Sequence, residues 1–264
     1  MSRPFVSIVT PSLDQRAFVE RTLESVLSQR GDFDLELLVQ DGGSRDGTLE
    51  VLERHRDRIS LVVEKDAGQA DAVNRALRRA RGEILGWVNS DDLLRPGAVQ
   101  AAVEAFRANP GALWLHGRCD IVDEDDRIIR RPVAAYKDHR ARRHRRDRLL
   151  VENYVSQMTV FWRRPLQEKV GLLDPSLRYT FDYDLWLRFA AVADPLYLPR
   201  TLAAFRWHVS SKSGSSFEAQ FEEDWQVFLR HAPDSAWLRF RKRARTAQIL
   251  AVYRVLRALR PPVR

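Results

Sequence analysis

Phe5-Val6-Ser7-Ile8-Val9-Thr10-Pro11-Ser12 sets the pattern of the chain: an apolar, β-branched run through Val9, closed by a polar Thr-Pro-Ser turn. Such a run reads as a strand, and the spacing from Ala17 to Gln29, which turns Phe18, Leu23, Val26 and Leu27 to one side, reads as a helix. The alternation then repeats. Leu35 to Gln40 is a predicted strand, Thr48 to His55 a helix, Ile59 to Val63 a strand, Gln69 to Arg79 a helix and Ile84 to Val88 a strand. Strands alternating with helices of this length predict parallel βαβ units and an α/β fold. Pro96-Gly97 opens another helix through Phe106, with proline suited to a first turn. Ala112 to His116 and Asp120 to Arg130 read as further strands around an Asp-Glu-Asp-Asp turn, so the sheet is expected to become mixed.

The pattern is lost from Tyr136 to Arg148, a basic, polar stretch with two readings, a mobile segment or an exposed helix. Order returns with Tyr154 to Trp162, a helix near Pro165 to Val170, a helix from Tyr183 to Ala193 and a strand pair around Pro195 to Arg206. A Ser/Gly-rich loop, Ser210 to Ser216, precedes a helix from Phe217 to His231, and Pro233 separates that helix from a last one between Ala236 and Leu259. A length of 264 residues suits one α/β domain with a C-terminal helical appendage.

Hydrophobic content of 44% and charged content of 30% are those of a soluble globular protein, and no apolar run approaches the roughly 20 residues that span a bilayer. Met1-Ser2-Arg3-Pro4 leads straight into the first strand without the regions of a signal peptide, which predicts a cytoplasmic protein. The single cysteine, Cys119, has no partner for an internal disulfide and reads as a small buried residue. The net charge of +8 is concentrated in Lys137 to Arg148 and Arg239 to Arg264. Such runs meet phosphates or are solvated faces, and both readings stand. A nucleic-acid-binding module is not expected, because the chain lacks an aromatic RNA-recognition signature and zinc-finger spacing. In the last helix Trp237, Leu238, Phe240, Ile249, Leu250, Val252, Leu256 and Leu259 alternate with basic residues and no acids. A basic amphipathic helix reads as a membrane-surface element; packing on the main domain or on a second subunit is the other reading.

In open α/β sheets ligands sit beyond the carboxyl ends of the strands. Polar segments fall at four such ends: Thr10-Pro11-Ser12, Asp41-Gly42-Gly43-Ser44, Asp66-Ala67-Gly68-Gln69-Ala70-Asp71 and Asn89-Ser90-Asp91-Asp92. Each alone is an ordinary turn. Four in succession point to one ligand cleft.

These segments, in this order, resemble glycosyltransferase family 2, inverting enzymes of the GT-A fold. Phe181-Asp182-Tyr183-Asp184-Leu185-Trp186-Leu187-Arg188 and Phe205-Arg206-Trp207-His208, ahead of Ser211-Lys212-Ser213, complete the resemblance, which covers about the first 215 residues. It implies a GT-A catalytic domain over 1–215, a Rossmann-like, mostly parallel mixed sheet flanked by helices. The nucleotide-binding half would be about 1–118 and the acceptor half about 119–215, with a basic, amphipathic helical extension over 216–264. It also implies a nucleotide diphosphate sugar donor, commonly a UDP-sugar, a sugar or lipid-linked acceptor, and a divalent cation, Mn2+ or Mg2+. The work would be bacterial cell-surface polysaccharide or glycolipid synthesis, with peripheral contact to the inner face of the cytoplasmic membrane.

By carry-over, Thr10, Pro11 and Ser12 line the nucleoside pocket and Asp41 accepts a hydrogen bond from the base. Gly68, Gln69 and Asp71 belong to the segment near the ribose and donor sugar; for Asp71 the other reading is a helix-N-terminal acid. Asn89-Ser90-Asp91 occupies the place of the family's Asp-x-Asp motif, with Asp91 the principal metal ligand and Asn89 a neutral departure. Asp92 is expected to orient the loop, and His208 resembles the family histidine that reaches the metal or diphosphate. Asp182 is the expected general base, with Phe181 where the family often has a second acid. Asp184 lies two residues on. Trp186 and Tyr183 would stack on a sugar ring or sit in the core, and Gln157 is placed in the acceptor cleft. A protein of this fold that binds sugar nucleotides without turnover is the alternative function.

Overall fold

The computed structural model describes residues 3–208, 217–232 and 234–258. A nine-stranded sheet runs through the molecule in the order β3-β2-β1-β4-β8-β6-β9-β5, with β7 paired to β6. Strands β1 (Phe5–Ser12), β2 (Asp34–Asp41), β3 (Ser60–Val63) and β4 (Ile84–Trp87) are parallel, linked by α1 (Val19–Leu27), α2 (Thr48–Arg54) and α3 (Gln69–Arg79). After β5 (Leu93–Leu94) and α4 (Ala98–Ala108) come β6 (Trp114–Val122), β7 (Ile128–Ile129), α5 (Arg131–Ala141) and α6 (Arg146–Val151). A 3-10 turn at Gln157–Thr159 leads to β8 (Phe161–Arg163), α7 (Arg164–Val170), α8 (Phe181–Val192) and β9 (Leu196–Arg206). The helices α9 (Phe217–His231) and α10 (Ala236–Ala258) follow. Strand β8 lies antiparallel to β4 and β6, and β9 lies parallel to β6, so the sheet is mixed beyond β4.

Period-two alternation explains the two apolar layers. Val6 and Ile8 of β1 join the cluster under α1, α2 and α4, while Val9 joins the one under α3, α7 and α8. Both faces are covered, so the central strands are apolar on both sides.

Three sequence expectations change, and one reading left open is decided. The Thr10-Pro11-Ser12 turn is part of β1, in register with Val39, Gln40 and Asp41 of β2. The two strands expected over Ala112 to Arg130 are one long β6 and a two-residue β7. The strand pair around Pro195 to Arg206 is the single strand β9, whose pairing with β6 shifts register on either side of Arg118, so a proline and a bulge interrupt the ladder without ending the strand. The stretch from Tyr136 to Arg148 is helical rather than a mobile link, and ions hold it: Arg118 Nε lies 2.9 Å from Asp138, and Tyr136 donates to Glu152 at 2.7 Å. The Ser210 to Ser216 loop lies outside the described residues, as does Leu259.

The first half of α10 turns its basic residues toward the main domain. Arg241 pairs with Asp147 at 3.0 Å and Arg245 with Glu152 at 2.8 Å. Lys242, almost wholly buried, pairs with Asp224 and lies 5.0 Å from the Tyr183 ring centroid. The outward side carries Trp237 and Phe240, 64% and 61% exposed and stacked with centroids 5.7 Å apart. Among the described residues no helix is long and apolar enough to cross a membrane.

Candidate active site

Parallel strands β1, β2 and β4 bring their carboxyl ends to one edge, and the first two segments form its floor. The Thr10 and Ser12 hydroxyls are buried and meet no hydrogen-bond partner among the described residues. Buried polar atoms are normally satisfied, so these two fit a pocket completed by a ligand. Asp41 is wholly buried. Its Oδ1 accepts the Gly43 and Ser44 N–H groups at 2.9 and 2.8 Å, and its Oδ2 accepts the Ser44 hydroxyl at 2.7 Å. Asp41 therefore ties its own loop together through both carboxylate oxygens. The neighbouring surface belongs to residues the motif reading passed over. A Cβ on Gly42 would sit 2.8 Å from Asp66 Oδ2 and 3.5 Å from Leu13 Cδ1, so glycine there lets both approach. Leu13, just past the end of β1, is 53% exposed.

The third segment starts α3. Gly68 has φ of 120°, the left-handed side that favours glycine, and space opens where a Cβ would stand. Asp71 accepts the Ala67 N–H at 3.1 Å and pairs with Arg75 at 2.9 Å. It stands in the first turn of α3, where a carboxylate suits the helix N-terminus. Gln69 reaches across instead, donating to Asn89 Oδ1 at 2.7 Å.

Asn89 is the centre of the fourth segment. Its Oδ1 also accepts the Trp87 indole N–H at 2.9 Å, and its Nδ2 donates to Asp92 Oδ2 and Gln157 Oε1, each at 3.1 Å. The indole can only donate and the carboxylate accepts, which fixes the amide orientation. All four hydrogen bonds of the amide are thereby made inside the protein. Gln157 donates its own amide to the Trp87 carbonyl and so supports Asn89. An aspartate at position 89 would set a carboxylate against Asp92 and against the Gln157 carbonyl. Asn89→Asp is expected to destabilise the fold by about 1–3 kcal/mol, read as a lower denaturant midpoint.

Asp92 is wholly buried and accepts the Arg206 N–H at 3.0 Å, so it orients the loop. Burial first, and the Asp91 charge second, push its carboxyl well above the ordinary range. Arg206, also wholly buried, donates to the Asp91 carbonyl and to Asp126, and thus joins β9 to the metal loop. Ser90 is buried, and its carbonyl accepts the Thr22 hydroxyl at 2.9 Å. Asp91 keeps its side chain 21% exposed, with Oδ2 3.2 Å from His208 Nε2. The His208 ring lies against Phe18, centroids 4.6 Å apart. A carboxylate oxygen and an imidazole nitrogen converging beside solvent suit a divalent cation whose other ligands come from substrate oxygens. Among the described residues no group of three or more His, Cys, Asp or Glu side chains is placed to hold a metal ion.

Asp182 stands in the first turn of α8, half-buried, with the Tyr183 N–H 2.7 Å from Oδ1. Burial pushes its carboxyl up to about 6, against the opposing pull of that N–H and of the Lys137 charge. Phe181, one residue before it, stacks on Trp87 with centroids 5.6 Å apart. The Phe181–Trp87 stack and the Trp87–Asn89 hydrogen bond thus link the start of α8 to the segment that holds Asp91. Glu223 of α9 shapes the approach to α8: its carboxylate accepts the N–H groups of Arg178, Tyr179 and Thr180 at 2.6 to 2.7 Å and the Thr180 hydroxyl at 2.9 Å. The other α8 residues turn inward. Asp184 pairs with Arg188 and His231, and the Tyr183 hydroxyl donates to the Leu149 and Leu150 carbonyls. Trp186 is wholly buried against Trp114, Trp162 and Phe189, so the sugar-stacking expectation for it and for Tyr183 is corrected in favour of the core.

Between α3 and α8 lies a cleft of about 400 Å³, with Gly68, Gln69 and Ala70 on one wall and Pro175, Leu177, Arg178 and Phe181 on the other. That size suits a small molecule. Gln69 donates from this cleft to Asn89, and Phe181 immediately precedes Asp182, so the cleft adjoins both segments. Residues 7–169 match the family described as glycosyl transferase family 2.

The chain belongs to glycosyl transferase family 2. The matched span holds the four strand-end segments and stops short of Asp182 and His208. Among similar proteins, a putative teichuronic acid biosynthesis glycosyltransferase, TuaG of Bacillus subtilis, is 27% identical over 86% of this chain and 88% of its own. Chondroitin synthase of Escherichia coli is 26% identical over 85% of this chain, which spans 32% of that longer protein. Solved GT-A family relatives share the fold. S. aureus TarS in complex with UDP-GlcNAc matches 90% of this chain and 70% of its own at 19% identity and a TM-score of 0.67. The mannosyltransferase PcManGT from Pyrobaculum calidifontis, in complex with GDP-Man and Mn2+, matches 98% of this chain and 82% of its own at 20% identity and a TM-score of 0.67.

Proposed function

We propose that this family 2 glycosyltransferase inverts configuration while moving a sugar from a nucleotide diphosphate sugar, UDP-linked, to an acceptor hydroxyl in polysaccharide or glycolipid synthesis. The observation that carries the reading is the family match over residues 7–169; the approach of Asp91 Oδ2 to His208 Nε2 at 3.2 Å and the position of Asp182 next in sequence to the cleft-lining Phe181 are consistent with it. The carboxyl end of β1, Thr10 to Ser12, receives the nucleoside, where two buried hydroxyls have no hydrogen-bond partner among the described residues. Asp91 and His208 would hold Mn2+ or Mg2+ together with the donor diphosphate, and a cation there offsets charge on the leaving group. Asp182 takes the proton of the acceptor hydroxyl as its oxygen attacks the anomeric carbon from the side opposite the diphosphate. Inversion follows from that single displacement.

A thermal-shift panel of nucleotide sugars with and without metal tests the reading. A donor held at a hundredfold excess over its dissociation constant is expected to add about 2.7 kcal/mol of apparent stability, with Mn2+ or Mg2+ required. A panel in which no nucleotide sugar shifts the transition under either condition removes it.

For a lipid-linked acceptor, membrane contact would be peripheral, through the outward Trp237–Phe240 pair rather than the inward-paired cations of α10. Cosedimentation with anionic vesicles is expected to fall in a Trp237→Ser, Phe240→Ser double variant; undiminished binding rules this contact out.

A further inference from the structure

We propose that the cleft between α3 and α8 takes a sugar bearing an anionic group, a carboxylate above all, and that Arg178 pairs with that charge. The proposal rests on the glycosyltransferase reading of the site and narrows its substrate class.

Arg178 lines the cleft and is exposed there, with its guanidinium 5.6 Å from the Tyr179 ring centroid. Its backbone N–H is held by Glu223 at 2.7 Å, so the base of the side chain is fixed while the head is not. Among the described residues its guanidinium meets no carboxylate, in a protein where most arginines do. The acids around the cleft are already engaged. Asp66 accepts the Gly68 N–H, Asp71 holds Arg75 and the Ala67 N–H, and Asp174 holds Ser176 and Arg230. Glu223 is taken up by three backbone N–H groups and a hydroxyl. Among the described residues the cleft therefore presents a guanidinium with no carboxylate in direct contact, on the same wall as Phe181 and opposite Gln69. A guanidinium in that setting matches a carboxylate in two-point contact, whereas neutral sugars leave it unmatched.

The anionic group can arrive on the transferred sugar or on the acceptor, and two arms separate these sources. In the donor arm, dissociation constants of UDP, UDP-glucose and UDP-glucuronate are measured by thermal shift with Mn2+. In the acceptor arm, p-nitrophenyl β-glucoside and β-glucuronide are compared in the presence of UDP and Mn2+. Wild-type protein is expected to favour the glucuronate member of one arm by about five- to tenfold, with the preference lost in Arg178→Ala and partly kept in Arg178→Lys. Binding of UDP alone should be equal in all three proteins and reports on the glycosyltransferase reading separately. The proposal is overturned if wild type shows no charge preference in either arm, if the preference survives Arg178→Ala, or if that variant weakens UDP as much as UDP-glucuronate, which would put the guanidinium on the diphosphate. Failure of UDP to bind wild type would instead remove the underlying function.

Discussion

Asp182→Asn is expected to lower sugar transfer by about 10²–10⁴-fold while leaving donor binding intact, because an amide of the same shape cannot accept the acceptor proton. The donor contacts assigned above lie on other elements, so UDP-dependent stabilisation should be that of wild type. The same carboxyl sets the pH profile. Burial raises it to about 6, and its working form is the deprotonated one, so activity should rise with unit slope on a logarithmic scale below about pH 6 and level off above. Two results would count against Asp182 as the base: residual transfer near wild type in the asparagine variant, or an acid limb that persists unchanged in it. A binding protein without turnover would show neither an acid limb nor donor consumption.

Glu223→Ala is expected to cost about 2–4 kcal/mol, roughly 5–12 °C in melting temperature, and to reduce turnover as well. Burial works against the Glu223 charge, yet the N–H groups of Arg178, Tyr179 and Thr180 outweigh it and hold the carboxyl below the ordinary range. Removing it strands those three donors in the approach to α8, directly before Phe181 and Asp182. The estimate falls below the full sum of four lost bonds because the segment is partly open and water can replace some of them. Glu223→Gln keeps one acceptor oxygen and should fall between. Turnover measured well below the melting transition separates misplacement of the base from simple unfolding. A Glu223→Ala protein with wild-type melting and turnover would show that the four hydrogen bonds do not shape the loop.

Periodicity was enough to read the nucleotide-side half of the fold. Helix α3 runs from Gln69 to Arg79 as its spacing predicts, and the βαβ alternation gave β1 to β4, because apolar residues there repeat at 2 and 3.6. The reading failed where charge, not apolar contact, holds an element. Helix α5 keeps Val133 and Tyr136 on its outside and is fixed by Asp138 to Arg118, so its sequence has no apolar stripe to find. In the candidate site, the motifs marked Asp91 and His208, whose side chains the fold brings to within 3.2 Å of each other. They could not separate side chains that face a ligand from those that knot their own loops, as Asp41 and Asp71 do, because both kinds occur in the same turn. Nor could they find Glu223, whose partners lie more than forty residues earlier and leave no local pattern.

The clasp between α9 and the segment ahead of α8 has a consequence for the order in which the enzyme acquires its activity during translation. A ribosome that has released residues 1–208 has delivered every group assigned to the donor, the metal and proton transfer, yet the scaffold under Asp182 still lacks its anchor. Competence should arrive late, after Glu223 has emerged and docked. Truncated products of interrupted synthesis would then be silent rather than wasteful of nucleotide sugars.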